Sequence, residues 1–143
     1  PDQLTSNAGW DTEKSLDFLM DIAAHFHEDN IRVSFFVSAD KRMIEFSKRA
    51  GADRVELYTE PYAATYVQNP EVAITDFLEA ATYAKEIGLG LNAGHDLSLH
   101  NLRYFHQQIP WLDEVSIGHA LICDALYLGL KETIHQYLAC LQD

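Results

Sequence analysis

A chain of 143 residues with 48% hydrophobic content is large enough for one domain with a real core, and its composition excludes the fibrous and disordered classes. Ten basic against 22 acidic residues leave a net charge of −12, which opposes general attraction to nucleic acid or to an anionic membrane surface. The same charge repels a phosphorylated ligand, so any phosphate site has to be local, made from backbone dipoles or a few cations.

The segment Pro1 to Thr5 lacks the basic-then-apolar layout of a secretion signal, and no apolar run approaches the roughly 20 residues that cross a bilayer. Asp11 is placed to cap a first helix, whose apolar residues Leu16, Leu19, Met20, Ala23 and Phe26 recur at helical spacing as far as about His27. Ile31 to Ser38 is rich in β-branched and aromatic residues and reads as a strand buried on both faces. A helix from Asp40 to Ala50 stops at Gly51, and Arg54 to Thr59 is the next strand. Its helix carries Lys41, Arg42, Lys48 and Arg49, most simply a solvated face. Tyr58, Glu60-Pro61-Tyr62 and Tyr66 read as an aromatic loop, either the wall of a site or packing beneath a long loop.

Asn69-Pro70-Glu71 is a strong helix start, continued by Val72, Phe77, Leu78, Ala81 and Ala84 toward Gly88. Leu89 to Ala93 makes a short strand, Ser98 caps a helix through about Gln107, and Glu114 to Ile117 is a fourth strand. Helical stretches from Ala120 to Leu128 and from Leu130 to Leu141 close the chain. Cys123 and Cys140 form no CxxC pair and no disulfide framework, which makes a reducing, cytoplasmic compartment the simpler reading.

Strands alternating with helices imply parallel pairing and right-handed crossovers. The expected fold is therefore α/β over residues 1–143 as one unit, either a small open sheet or the C-terminal half of a (β/α)₈ barrel, about strands 5 to 8. The barrel is favoured because polar residues sit where strands end. Glu56, Asn92 with His95, and Gly118 with His119 would all meet at one mouth, where barrel enzymes place their chemistry.

Gly94-His95-Asp96 puts an imidazole at such an end, suited to proton transfer in condensation or dehydration at carbonyl carbons, although a local hydrogen bond would explain it as well. Gly118-His119-Ala120 opens a helix, where free N–H groups and the helix dipole hold a phosphate; a plain strand-to-helix turn is the alternative. Glu56, between Val55 and Leu57, faces either the barrel lumen or solvent, and a carboxylate in a lumen is costly unless paired or used. His25, His27, His100, His106 and His135 fall on expected helices and receive no role. No lysine stands at a strand end, which argues against an aldolase of the Schiff-base type.

Three segments, Val55 to Thr59 with Tyr62-Ala63, Leu91-Asn-Ala-Gly-His-Asp-Leu97, and Val115-Ser-Ile-Gly-His-Ala-Leu-Ile122, together and in this order resemble the pyridoxine 5′-phosphate synthase family, over essentially the whole chain. The resemblance implies a (β/α)₈ barrel that condenses 1-deoxy-D-xylulose 5-phosphate with 3-amino-2-oxopropyl phosphate, releasing phosphate and water, with no metal and no organic cofactor. It implies that His95 is a proton donor and that Glu56 stabilises charge in the transition state. Gly118 and His119 would bind the aminoketone phosphate, Asp96 would contact the same substrate through its backbone N–H, and Thr5 would contact the sugar phosphate. It also implies a homo-oligomer.

The chain departs from the family pattern at its beginning, where the first four strands would stand. With them go an Asn-Asp-His segment, basic residues on phosphate, and the His and Glu proton acceptors. The expectation is that this chain alone is inactive or nearly so, with an apolar lumen and two strand edges open to a missing N-terminal half. The competing expectation is a non-catalytic open-sheet module that binds a phosphorylated small molecule.

Overall fold

The computed structural model describes residues 7–142. The elements in chain order are α1 (Leu16–Glu28), β1 (Ser34–Val37), α2 (Lys41–Arg49), β2 (Arg54–Leu57), α3 (Glu60–Tyr66), α4 (Pro70–Glu86), β3 (Gly90–Gly94), α5 (Leu102–Gln108), β4 (Glu114–Ser116), α6 (His119–Leu128) and α7 (Leu130–Ala139). The strands form one parallel sheet in the order β1-β2-β3-β4.

That order decides between the two architectures. Right-handed crossovers that always step to the next strand in the same direction lay every helix on one face, as in a barrel, whereas a doubly wound sheet reverses direction to cover both. The side chains agree. Phe35, Val37, Val55, Leu57, Leu91 and Ala93 are buried on the helical side. The paired positions between them, Phe36, Glu56, Asn92 and Glu114, lie in register across the other face. The sheet is thus four consecutive βα units of a (β/α)₈ barrel, with a helix-covered outside and a polar inside.

This corrects two expectations. β1 is not buried on both faces: Ser34 is exposed and Phe36 half-buried, because their side is the lumen. Nor is the lumen apolar. Ser34, Arg54, Glu56, Asn92, Glu114 and Ser116 share the side of Phe36, whose ring meets Tyr58 edge-on at 5.6 Å. The exposed apolar surface instead lies on the flanks, at Ile122, Leu126 and Tyr127 of α6, a helix with no buried residue, and at Trp10 and Phe18 near the opposite edge.

Local chemistry sets the element ends. Asp40 accepts hydrogen bonds from the N–H groups of Arg42 and Met43 to start α2, and Asn69 accepts from Val72 N–H to start α4. Asp11 does not cap α1. It closes a preceding turn by accepting from Lys14 N–H, Thr12 donates to the Met43 carbonyl at 2.7 Å, and the helix begins only at Leu16. Ser98 likewise opens a turn, with its N–H donated to Asn101 Oδ1 at 2.8 Å, and α5 begins after it, leaving His100 in that turn. At the floor of the sheet, Asp53 and Asp113, each just before a strand, accept from Val33 and Leu91 N–H at 2.8 Å, terminating the ladder of the neighbouring strand. The Val33 bond, then His27, holds the Asp53 carboxyl below its usual range.

The aromatic loop is a helix. Tyr62 in α3 is fully buried, within 5.0 Å of the Phe105 ring and 5.7 Å of Phe77, and its hydroxyl donates to the Asn101 carbonyl at 2.8 Å. Burial pushes the phenol well above its ordinary pKa. Tyr62 and Tyr66 therefore belong to packing and not to a site wall. Since the Asn101 carbonyl also accepts from Phe105 N–H, Tyr62→Phe should cost only the net value of one bond, about 1 kcal/mol, read as a lower urea midpoint at unchanged slope.

Candidate active site

The C-terminal ends of β2, β3 and β4 face one concavity of about 420 Å³, lined by Phe36, Glu56, His95, Ser116, Gly118 and His119. Four of the residues singled out from the sequence therefore come together: His95, Glu56, Gly118 and His119. Asp96 is adjacent through its contact with His95. Thr5 lies outside the described residues.

β3 carries His95 to this mouth by a turn with little freedom. Gly94 runs so close to β4 that an added Cβ would stand 2.1 Å from the Ser116 carbonyl oxygen, so only glycine fits. His95 continues the ladder by donating its N–H to that same oxygen at 2.9 Å and adopts φ 46°, in the left-handed region. Its Nδ1 lies 2.9 Å from Asp96 Oδ2. Thr59, fully buried just beyond β2, donates its hydroxyl to the Gly94 carbonyl and accepts from Asp96 N–H at 3.2 Å. The Asp96 N–H thus already has a partner inside the protein.

Glu56 projects from β2 between Phe36 and Asn92. Burial, and then repulsion from Glu114, raises its carboxyl above the ordinary glutamate range, while His95 pulls it down. A carboxyl raised by folding binds its proton more tightly in the folded chain, so its ionisation weakens folding as pH rises. Glu56→Gln should accordingly be as stable as the parent near pH 4 and more stable at pH 8, with the gap opening as the parent carboxyl ionises. Thermal melts of both proteins across that range check this, and a gap that closes toward alkaline pH would contradict it.

Beneath Glu56 the floor is ionic. Arg54 donates to Asn92 Oδ1 at 2.9 Å and lies 3.5 Å from Glu114, which Arg32 also meets at 3.3 Å. Sequence reasoning missed Arg54, yet strand parity points to it, since a residue two before Glu56 faces the same way. The helix-borne cations behave as expected for a solvated face: Lys41 pairs with Glu79 and Arg42 with Glu13.

Gly118 precedes α6 without a side-chain cap, and the first helical bond is donated by Ile122 N–H to the Gly118 carbonyl. The N–H groups of His119, Ala120 and Leu121 thus lack helical acceptors, and Gly118 and His119 line the concavity, so this helix start is suited to an anion. Among the described residues no group of three His, Cys, Asp or Glu side chains is placed to hold a metal ion, and no helix is long and apolar enough to cross a membrane.

Parallel βα units stepping in one direction, with an imidazole, a carboxylate and a helix N-terminus at one mouth, are those of a (β/α)₈-barrel protein. Residues 1–143 match the family described as "Pyridoxal phosphate biosynthesis protein PdxJ", and the chain belongs to that family, whose role is in vitamin B6 biosynthesis. It is 63% identical over 142 residues to the pyridoxine 5′-phosphate synthase of Phocaeicola vulgatus, a match that covers 99% of this chain and 60% of the relative. The corresponding protein of Bacteroides thetaiotaomicron is 61% identical with the same coverage. That of Cytophaga hutchinsonii is 59% identical over 135 residues, or 94% of this chain and 57% of the relative. The chain thus spans about 60% of the length of these relatives.

Proposed function

We propose that the protein to which these residues belong makes pyridoxine 5′-phosphate by condensing 1-deoxy-D-xylulose 5-phosphate with 3-amino-2-oxopropyl phosphate, with loss of phosphate and water. The observation that carries this reading is the convergence of Glu56, His95, Gly118 and His119 on one concavity, in a chain whose relatives bear the name of that synthase. His95 donates a proton to a departing oxygen, and Glu56, shielded among Phe36 and Asn92, stabilises positive charge that develops on the condensing amine. The unbonded N–H groups at the start of α6, with Gly118, hold the aminoketone phosphate despite the net charge of −12. Thr5 serves the sugar phosphate.

The chemistry draws on protein groups alone, without metal or organic cofactor. The remaining groups come from four further βα units that precede Pro1, complete the barrel and cover the edges of β1 and β4 and the apolar flank of α6. The complete protein works in the cytoplasm as a homo-oligomer.

The complete barrel, incubated with both substrates, should yield pyridoxine 5′-phosphate detectable by mass. The 143-residue chain alone should yield none, and mixing it with the preceding half should restore product. A folded complete protein that forms no product would sink the assignment.

A further inference from the structure

Three hydrogen bonds in the turn after β3 have no part in the roles given above. The His95 ring meets the Asp96 carboxylate, and the Thr59 hydroxyl both donates to the Gly94 carbonyl and accepts from Asp96 N–H. Thr59 stands at the N-cap of α3, where threonine ordinarily bonds to its own helix, yet it makes no such bond. Its hydroxyl is spent across the sheet, joining the end of β2, which carries Glu56, to the turn that carries His95.

We infer that Asp96 and Thr59 are positioning residues for His95: the Asp96 carboxylate fixes the imidazole with a proton on Nδ1 and Nε2 as the working nitrogen, and Thr59 locks the turn. This rests on the reading of His95 as a proton donor. An ionised carboxylate only accepts hydrogen bonds, so Nδ1 must carry hydrogen at the 2.9 Å contact. Neutral imidazole has a single N–H, which leaves the lone pair on Nε2, and no other protein group bonds the ring among the described residues. When the ring is protonated, Nε2 carries the proton to be given. Releasing it returns the ring to the Nδ1–H form that Asp96 already holds, so the donor is reset without turning.

The side chains of His95 and Asp96 are 48% and 23% exposed, so the carboxylate is the more sheltered partner, and the backbone of the residue that bears it is tied to Thr59 through its N–H. The backbone at His95 lies in the left-handed region, sparsely populated by non-glycine residues, and the bonds on either side of it are what hold the residue there. The role thus falls to the Asp96 side chain, while its backbone N–H serves the turn.

The test uses the complete protein with ¹⁵N-labelled histidine. At a pH where the ring is neutral, the His95 signals should show hydrogen on Nδ1 in the parent and shift toward Nε2–H in Asp96→Asn. The kcat of Asp96→Asn should fall about 10–100-fold while both KM values stay within about threefold, since an orienting partner acts on the transition state and not on ground-state binding. Thr59→Val should lower kcat in the same sense, and Thr59→Ser, which keeps the hydroxyl, should restore it. An Nε2–H tautomer in the parent, or unchanged kcat in Asp96→Asn, would overturn the inference. A parent that makes no pyridoxine 5′-phosphate defeats the proposed reaction instead, and the tautomer measurement still decides the positioning of the ring.

Discussion

Replacing His95 by asparagine in the complete barrel should lower kcat by about 10²–10⁴-fold, the usual worth of a positioned acid or base, while leaving the melting temperature unchanged. Asparagine is the informative choice because the position demands φ 46°, and asparagine is among the few residues that accept the left-handed region readily. Alanine would mix lost chemistry with backbone strain. The amide can still bond to Asp96, so the turn keeps its shape and only the titratable proton is removed. Binding of both substrates should survive, because the proposed phosphate contacts are at Gly118, His119 and Thr5 and not at the imidazole. A turnover near that of the parent would end the proton-donor role, even if product formation by the parent is established.

What the sequence made legible follows from where its chemistry is local. The start of α4 could be read from Asn69-Pro70 because a cap is a contact within a few residues of itself, whereas Asp11 and Ser98, read in the same way, close turns ahead of their helices. α3 could not be read. Its seven residues are stabilised by the burial of Tyr62 against Phe77 and Phe105, partners far along the chain, and such tertiary packing leaves no periodicity in Glu60-Pro61-Tyr62. The two faces of β1 were hidden because Phe35, Phe36 and Val37 are all apolar, so the alternation that marks a one-sided strand is absent from the letters. In the site, His95, Glu56, Gly118 and His119 were visible as polar or glycine residues at strand ends. Thr59 was not, since a threonine at the end of a strand announces nothing until the turn it reaches across the sheet is placed beside it.

The two glycines of the mouth should respond to alanine in opposite ways. At Gly94 the new methyl group would stand 2.1 Å from the Ser116 carbonyl oxygen and 2.8 Å from its carbon, both backbone atoms of β4 that no side-chain rotation can move. β3 and β4 must then part. That strains the bond from His95 N–H to Ser116 and the one from Thr59 to the Gly94 carbonyl, so Gly94→Ala should destabilise by about 3 kcal/mol or more. His95 is carried by the same turn, and a displacement of about 1 Å at a reacting group is enough for a loss near 10²-fold, so kcat should fall with stability. At Gly118 an added Cβ meets nothing within 4 Å, and φ is −106°, which alanine accepts. Gly118→Ala should leave the denaturation midpoint unchanged. If the open space there belongs to the aminoketone phosphate, the methyl group intrudes on the ligand, and the KM for that substrate alone should rise. Stability and KM measured on the two variants separate a glycine that the fold requires from one that the ligand requires. A stable Gly94→Ala would refute the close approach of β3 to β4, and a Gly118→Ala with unaltered KM would remove Gly118 from the phosphate site.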